Sequence, residues 1–340
     1  MITVINRTPF VVSSREGGHP PATFSVLNPE PWSWAVQVVV KATFDVANSR
    51  AILASEQLPI VDRSEQTDAG YIEGDLAFEK DGVDLVVLAA AHAPRGVAVR
   101  EMHVGLSLGD VSQIYSVAGE RVWTKQDGSW KPTDPVPFTS MGLGYDHAFG
   151  GTYKFERGNE IPYTRNPVGK GWTPNMSGIE FEGRPLANLE HAHLRVISPE
   201  EEPDPAGLGW YKMDWALRMM PGVKLRKSGP PEVLPRLWNA AHPDLILRED
   251  PGGKLLRLEG MTGDGLMELE IPRLPIAIEH TLSGHSESLP AKPDTFCILP
   301  SRASMFVLAR WLVPFNRADD LADAVIHIVP ESGAAALGAR

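Results

Sequence analysis

Residues 34–46 read WAVQVVVKATFDV. Val, Thr and Phe dominate the run, and such side chains favour the pleated, half-buried surface of a strand. The run ends at Asn48-Ser49, a turn-forming pair. The next apolar segment, Ala51 to Leu58, is expected to return as its hairpin partner. A long strand, a tight turn and a second strand point to a mainly β protein.

The same signal recurs outward from this run. Asp84 to Ala91 is almost wholly apolar, as a strand covered on both faces is. Val97 to Leu108 alternates, Gly109-Asp110 marks a turn, and Val111 to Val117 and Arg121 to Lys125 follow as short strands. Strands at intervals of about ten residues predict antiparallel sheets in a sandwich- or barrel-like arrangement with long ordered loops. In the last third, Lys254 to Gly260 alternates and Gly263-Asp-Gly265 turns the chain into Leu266 to Ile271. Thr295 to Leu299 and Met305 to Leu312 form a further hairpin, and Val325 to Val329 a final strand.

The N-terminal segments Ile2 to Ile5 and Phe10 to Ser13 suit strands broken at Pro9, and Ser14 to Pro31, with its four prolines, is expected as a loop. Asp62 to Glu73 is polar and expected at the surface. A few short helices are expected at Met213 to Met220, Glu232 to Ala241 and Arg317 to Ala324. The β-rich halves 1–125 and 251–330 are joined by an irregular middle, 126–250, too aromatic to be a linker. One compact domain over 1–330 is the expectation, with 331–340 as a flexible Gly/Ala tail. No internal repeat of fixed period is present.

Composition narrows the function. Hydrophobic residues make up 43% of the 340, enough for a substantial core, while 31 Gly and 30 Pro disfavour long helices. The net charge is −11, and the longest basic cluster is Lys224-Leu-Arg226-Lys227, so nucleic acid is disfavoured as a partner. Cys297 is the single cysteine, which rules out an intrachain disulfide and a Cys-based zinc site and fits a reducing cytoplasm. The N-terminus lacks the basic and long apolar regions of a signal peptide, and no apolar run is long enough to span a membrane.

The least regular stretch is Met141 to Trp172, MGLGYDHAFGGTYKFERGNEIPYTRNPVGKGW. Glycines alternate there with aromatic rings. A flexible linker is rich in Gly and Ser and poor in aromatics. This stretch reads instead as an ordered, irregular segment, the kind of element that carries binding function. Asp146-His147 offers a carboxylate beside a general base, the basis of a hydrolase-like alternative. No Gly-x-Ser-x-Gly elbow, His-Glu-x-x-His or Walker loop accompanies it.

Other features have simpler readings. Gly142-Leu-Gly144 and Gly169-Lys-Gly171 lack a strand–turn–helix context and are expected as tight turns, so no cofactor is assigned. His191-Ala-His193 has the spacing of two ligands on one strand face, but no third ligand is identifiable nearby, and no metal is assigned. Cys297, in an apolar strand, is expected to be buried and inert. Of nine tryptophans, Trp130, Trp172 and Trp210 fall in irregular segments and are candidate interface anchors.

An ordered series of motifs adds a family resemblance. Phe138-Thr-Ser-Met141, Tyr145-Asp-His-Ala-Phe-Gly-Gly151 and Asn166-Pro-Val-Gly-Lys-Gly-Trp172 are followed by Leu186-Ala-Asn188-Leu-Glu190 and Pro205-Ala-Gly-Leu-Gly209. His242-Pro-Asp244-Leu and Leu258-Glu-Gly-Met261 complete it, with Lys41-Ala-Thr-Phe-Asp45, Ala93-Pro-Arg-Gly-Val97 and Val117-Ala-Gly-Glu-Arg-Val-Trp123 before it. The series resembles the uncharacterised-domain proteins of bacterial type VI secretion gene clusters. It departs from them at Leu208, where an aromatic is expected, and at Ala187, where a proline is. The resemblance implies a non-enzymatic adaptor or chaperone. Such a protein binds a toxic effector in the cytoplasm and helps attach it to the spike, a VgrG trimer with a PAAR-type tip. Tyr145, Asp146, His147, Phe149, Trp172 and Trp210 are then the candidate partner-binding or scaffold residues.

Overall fold

The Ser33–Ala47 strand sits at the middle of a twelve-stranded sheet. Alternate side chains of a strand face opposite ways. Val36, Val38, Val40, Ala42 and Phe44 form one set, and all are buried. Gln37, Lys41 and Thr43 belong to the other set, and they are buried too. Each finds a partner in the segment that covers that face. The Gln37 amide donates to the Ala77 carbonyl. Lys41 Nζ lies 2.8 Å from Asp75 Oδ2, and Thr43 Oγ1 accepts the Leu58 N–H at 2.9 Å. The large majority of buried polar groups in a core are paired in this way.

A computed structural model of the chain describes residues 3–6, 22–30, 33–67, 70–176, 179–229, 231–282, 285–315 and 325–330. Along one edge of the Ser33–Ala47 strand runs Ser304–Phe315, antiparallel from Trp34 to Asp45. The other edge is shared by Ala22–Glu30 and Arg50–Leu53. Asn48 and Ser49 have φ of 51° and 60° between the paired residues Ala47 and Arg50. Positive φ at both central residues gives the turn whose twist matches a hairpin.

From Arg50–Leu53 the sheet continues through Leu266–Glu270, Leu255–Glu259, Glu101–Leu108 and Val111–Ala118 to an edge at Leu189–His191. From Ser304–Phe315 it continues through Pro293–Leu299 and Val83–Val87 to the short edge strand Ile246–Leu247. Most neighbours are antiparallel, but Val83–Val87 runs parallel to Pro293–Leu299, with all five of its residues buried. The result is a large curled mixed sheet into which both β-rich ends of the sequence feed strands. A second, four-stranded sheet places Val325–Pro330 between Thr3–Asn6 and Ile276–Leu282, with His285–Pro290 outside the latter. Ile276, Ile278, Ile326 and Ile328 from this sheet join the same apolar cluster as Val36, Val38 and Phe296. Cys297 lies fully buried in that cluster, and burial pushes its thiol pKa up. No helix among the described residues is long and apolar enough to cross a membrane.

Several expectations needed correction. Residues 22–30 form a strand rather than the expected loop; Pro29 falls where the register shifts between Leu27 and Glu30, a place where a strand tolerates proline. The expected helix at Glu232 to Ala241 reduces to a two-residue strand and a 3-10 turn, Pro235–Trp238. Asn239 ends it: its side chain accepts the Asp81 N–H and donates to Gly82 O and Asp84 Oδ1, which draws the chain out extended. The hairpin Ile276–Leu282 with His285–Pro290 was not anticipated. Within the polar stretch 62–73, Glu65–Thr67 pairs with Gly70–Ile72. The helix near 213–220 is present as Ala216–Gly222. The expected strand at 10–13, helix at 317–324 and tail at 331–340 lie outside the described residues.

Candidate functional site

The Met141–Trp172 stretch docks on the sheet edge. Ser140–Gly142 pairs with Ala90–His92, and the His147 carbonyl accepts the N–H groups of Asn188 and Leu189 at 2.9 and 3.0 Å. Its interior is held by Asn166, which is fully buried. Asn166 Nδ2 donates to the carbonyls of Tyr145 at 2.7 Å and Phe149 at 3.0 Å, and its own carbonyl accepts the Gly151 N–H at 2.8 Å. Gly150 has φ of 147°, and a Cβ there would stand 2.2 Å from the Asn166 carbonyl oxygen. Only glycine lets these two strands of chain meet.

Two aromatic clusters flank this knot. Phe149 and Tyr163 stack edge to face and pack with Trp123, Leu186 and the partly buried Trp172. Tyr145 stacks on Tyr211 with ring centroids 4.3 Å apart, and both meet Trp215 edge-on. Gly207 lies against the Tyr145 ring, where a Cβ would come within 2.5 Å of Cε1.

In front of the second cluster lies a cavity of about 520 Å³. Tyr145, Asp146, His147 and Trp210 line it, so four of the six candidate residues come together. Phe149 and Trp172 do not line it. Phe149 is buried, and Trp172 Nε1 donates to Glu202 Oε1 at 3.0 Å on another face. Tyr145 and Trp210 are also buried, and the Trp210 N–H has no hydrogen-bond partner among the described residues. Asp146 is 68% exposed at the rim and His147 24% exposed beside it. His147 Nε2 lies 3.5 Å from Asp146 Oδ2, and Nδ1 lies 3.3 Å from Asn188 Oδ1.

The opposite wall comes from residues the sequence did not single out. Lys212 sits over the Tyr71 ring, 5.1 Å from its centroid. Tyr71 donates to Glu73 Oε2 at 2.6 Å, and Glu73 Oε1 accepts from the buried Arg218 at 2.7 Å. Burial and then the Glu73 bond push the Tyr71 hydroxyl pKa up, and burial does the same for Tyr145. Both hydroxyls therefore stay protonated. The cavity offers aromatic rings and a rim bearing both signs of charge, while the Tyr71 and Tyr145 hydroxyls are committed to Glu73 and the Gly207 carbonyl; this chemistry suits binding a mixed polar and apolar segment. Among its described lining residues, Asp146 and His147 form the candidate base pair.

A separate cluster lies behind Tyr211. His191 and His242 are buried with ring centroids 5.4 Å apart, and Asp244 stands beside them. Burial lowers the pKa of both rings, that of His242 to about 4. The His191-Ala-His193 spacing is not what forms the cluster: His193 stays outside it, and His242 and Asp244 come from a distant turn to meet His191.

Fold and site together define a mainly β protein with an ordered Gly- and aromatic-rich segment around a binding-type cavity. Residues 34–310 match the model of a family described as an uncharacterized protein conserved in bacteria (DUF2169), and the chain belongs to that family. The matched range begins on the central strand and ends on its partner strand. Comparison with curated proteins and with solved structures found no match.

Proposed function

We propose that the protein is a non-enzymatic adaptor, or chaperone, acting in the cytoplasm. It holds a type VI secretion effector and helps load it onto the VgrG and PAAR spike. The motif series supports the secretion context. The observation that carries the binding role is the cavity in front of Tyr145 and Trp210, whose Tyr145–His147 wall is tied down by the buried Asn166. A pre-ordered surface avoids the ordering cost that weakens flexible binders. Its rim residues Asp146 and Lys212 supply a polar border around buried rings, and the half-exposed Val168 adds an apolar contact beside them. Co-purification of the tagged protein with the products of neighbouring genes tests this reading. A stable complex with an effector or PAAR-type product is expected; recovery of neither, from cells expressing both, contradicts it.

A second reading rests on one contact. Asp146 and His147, adjacent in sequence, bring their side chains within 3.5 Å, and Asn188 meets the other ring nitrogen. That arrangement suits an oriented general base in a hydrolase. Turnover of simple ester substrates that His147→Ala abolishes would support it. Effector capture and stability unchanged by His147→Ala, with no turnover by the unaltered chain, would remove its support.

A further inference from the structure

His191 closes the edge strand Leu189–His191, and Tyr115 pairs with it across the sheet. His242 and Asp244 flank Pro243 at the start of a 3-10 turn that packs against this edge. One ligand-capable atom from each of His191, His242 and Asp244 lies within 4.8 Å of the other two. We propose that these three residues form a binding site for a divalent first-row transition metal ion, with zinc as its representative. This goes beyond the adaptor reading and does not depend on it.

The donor set comes first. Two imidazoles and one carboxylate suit zinc and its neighbours, whereas calcium and magnesium prefer all-oxygen sites. Tetrahedral bonds of about 2.1 Å put ligand atoms about 3.4 Å apart. The observed spread of up to 4.8 Å therefore closes with shifts within the reach of side-chain rotation. His242 turns Nδ1 toward Asp244. Its ring lies in the neighbourhood of the Pro205 carbonyl, while Nδ1 lies 3.7 Å from Asp244 Oδ2. Metal-binding imidazoles are commonly held by donation from the other ring nitrogen to a carbonyl, the role the Pro205 carbonyl is placed to take. Nδ1 also accepts the Asp244 N–H at 3.1 Å, a contact that the metal bond would replace.

A second observation is independent of the ligand set. Tyr115 is fully buried with its ring 5.4 Å from that of His191. Its hydroxyl has no hydrogen-bond partner among the described residues, and it lies within the field of Asp244. The open side faces a cavity of about 140 Å³, which His193 and Asp204 also line, and these are the sources of any fourth protein ligand. Tyr211 stands between this site and the aromatic cavity, with rings 5.8 Å from His242 and 4.3 Å from Tyr145. An ion here clamps the sheet edge to the 242–245 turn behind that wall.

The test uses the full chain, stripped with chelator, exchanged into buffer and titrated with Zn²⁺ by calorimetry and with Co²⁺ by absorption. One ion per chain, Co²⁺ bands of four- or five-coordinate intensity and a higher Tm with Zn²⁺ are expected. Asp244→Asn, at a half-exposed position, should keep the Tm measured in chelator and weaken Zn²⁺ binding at least about tenfold. His191→Gln should weaken it as much. Well under one ion per chain, a Co²⁺ spectrum of the hydrated ion, or Asp244→Asn titrating like the unaltered chain overturns the proposal. The Asp244→Asn comparison decides even if His191→Gln fails to fold.

Discussion

The large sheet and the Met141–Trp172 segment are both well ordered, but by different means. In the sheet, order comes from apolar side chains at alternate positions: Val36, Val38 and Val40 on one strand, Phe296 and Ile298 on another. In the segment, it comes from backbone groups caught by Asn166 and from a chain crossing that only Gly150 permits. Period-two burial tolerates a change of side chain if volume is kept. A backbone knot tolerates little, because any added atom meets main chain. The two regions should therefore fail differently.

The largest effect is expected in the sheet. Phe296→Ala should cost about 4 kcal/mol in urea denaturation, the usual result of emptying a fully buried aromatic site. Gly150→Ala should cost about 3 kcal/mol, since it adds a clash with the Asn166 carbonyl to a strained φ. Alkylation of Cys297 separates the two losses. The thiol is buried and protonated, so it should react only on opening of the sheet. If the regions are one cooperative unit, Gly150→Ala should speed labelling in proportion to its stability loss. Labelling at the unaltered rate would mean that the segment opens alone.

The four-stranded sheet gives a pH-dependent effect of intermediate size. His280 is buried with neither ring nitrogen hydrogen-bonded among the described residues. That burial, partly offset by Glu287 at 3.7 Å, lowers its pKa below the ordinary 6.5. The folded chain thus takes up this proton less readily than the unfolded chain. The contribution of neutral His280 to stability is complete above that value and is lost as pH falls below it. His280→Phe should flatten this part of the Tm–pH curve; an unchanged curve would assign the acid sensitivity elsewhere.

The smallest effect on stability is expected at the cavity rim. Val168 is 46% exposed, so Val168→Asp should change stability by no more than about 0.5 kcal/mol. Its effect should appear in partner binding instead.

The sheet was legible because its residues announce themselves locally. The alternation in 34–46 and the Asn48-Ser49 turn specify a hairpin without help from the rest of the chain. His285–Pro290 was not legible, because all its side chains but Leu289 are exposed and carry no period. The 232–241 segment misled because Asn239 answers to Asp81, Gly82 and Asp84, far away in sequence. At the site, the glycines and rings of 141–172 marked an ordered segment correctly. They did not reveal that Tyr145, Asp146 and His147 would meet Trp210, Tyr71 and Lys212 around one cavity while Phe149 and Trp172 turned elsewhere. Nor could spacing alone bring His242 and Asp244 to His191. These meetings depend on which loops cross the sheet edge, and that is settled by tertiary contacts.

The central claim is that the cavity in front of Tyr145 and Trp210 holds a secretion partner. The most direct measurement is the affinity of the effector recovered by co-purification for the unaltered chain and for Val168→Asp, compared at equal stability. The account predicts a stable complex with the former and binding weaker by at least about tenfold, or 1.4 kcal/mol, with the latter. Equal affinity for both chains would place the partner on another face, and failure to bind any effector would contradict the adaptor function itself.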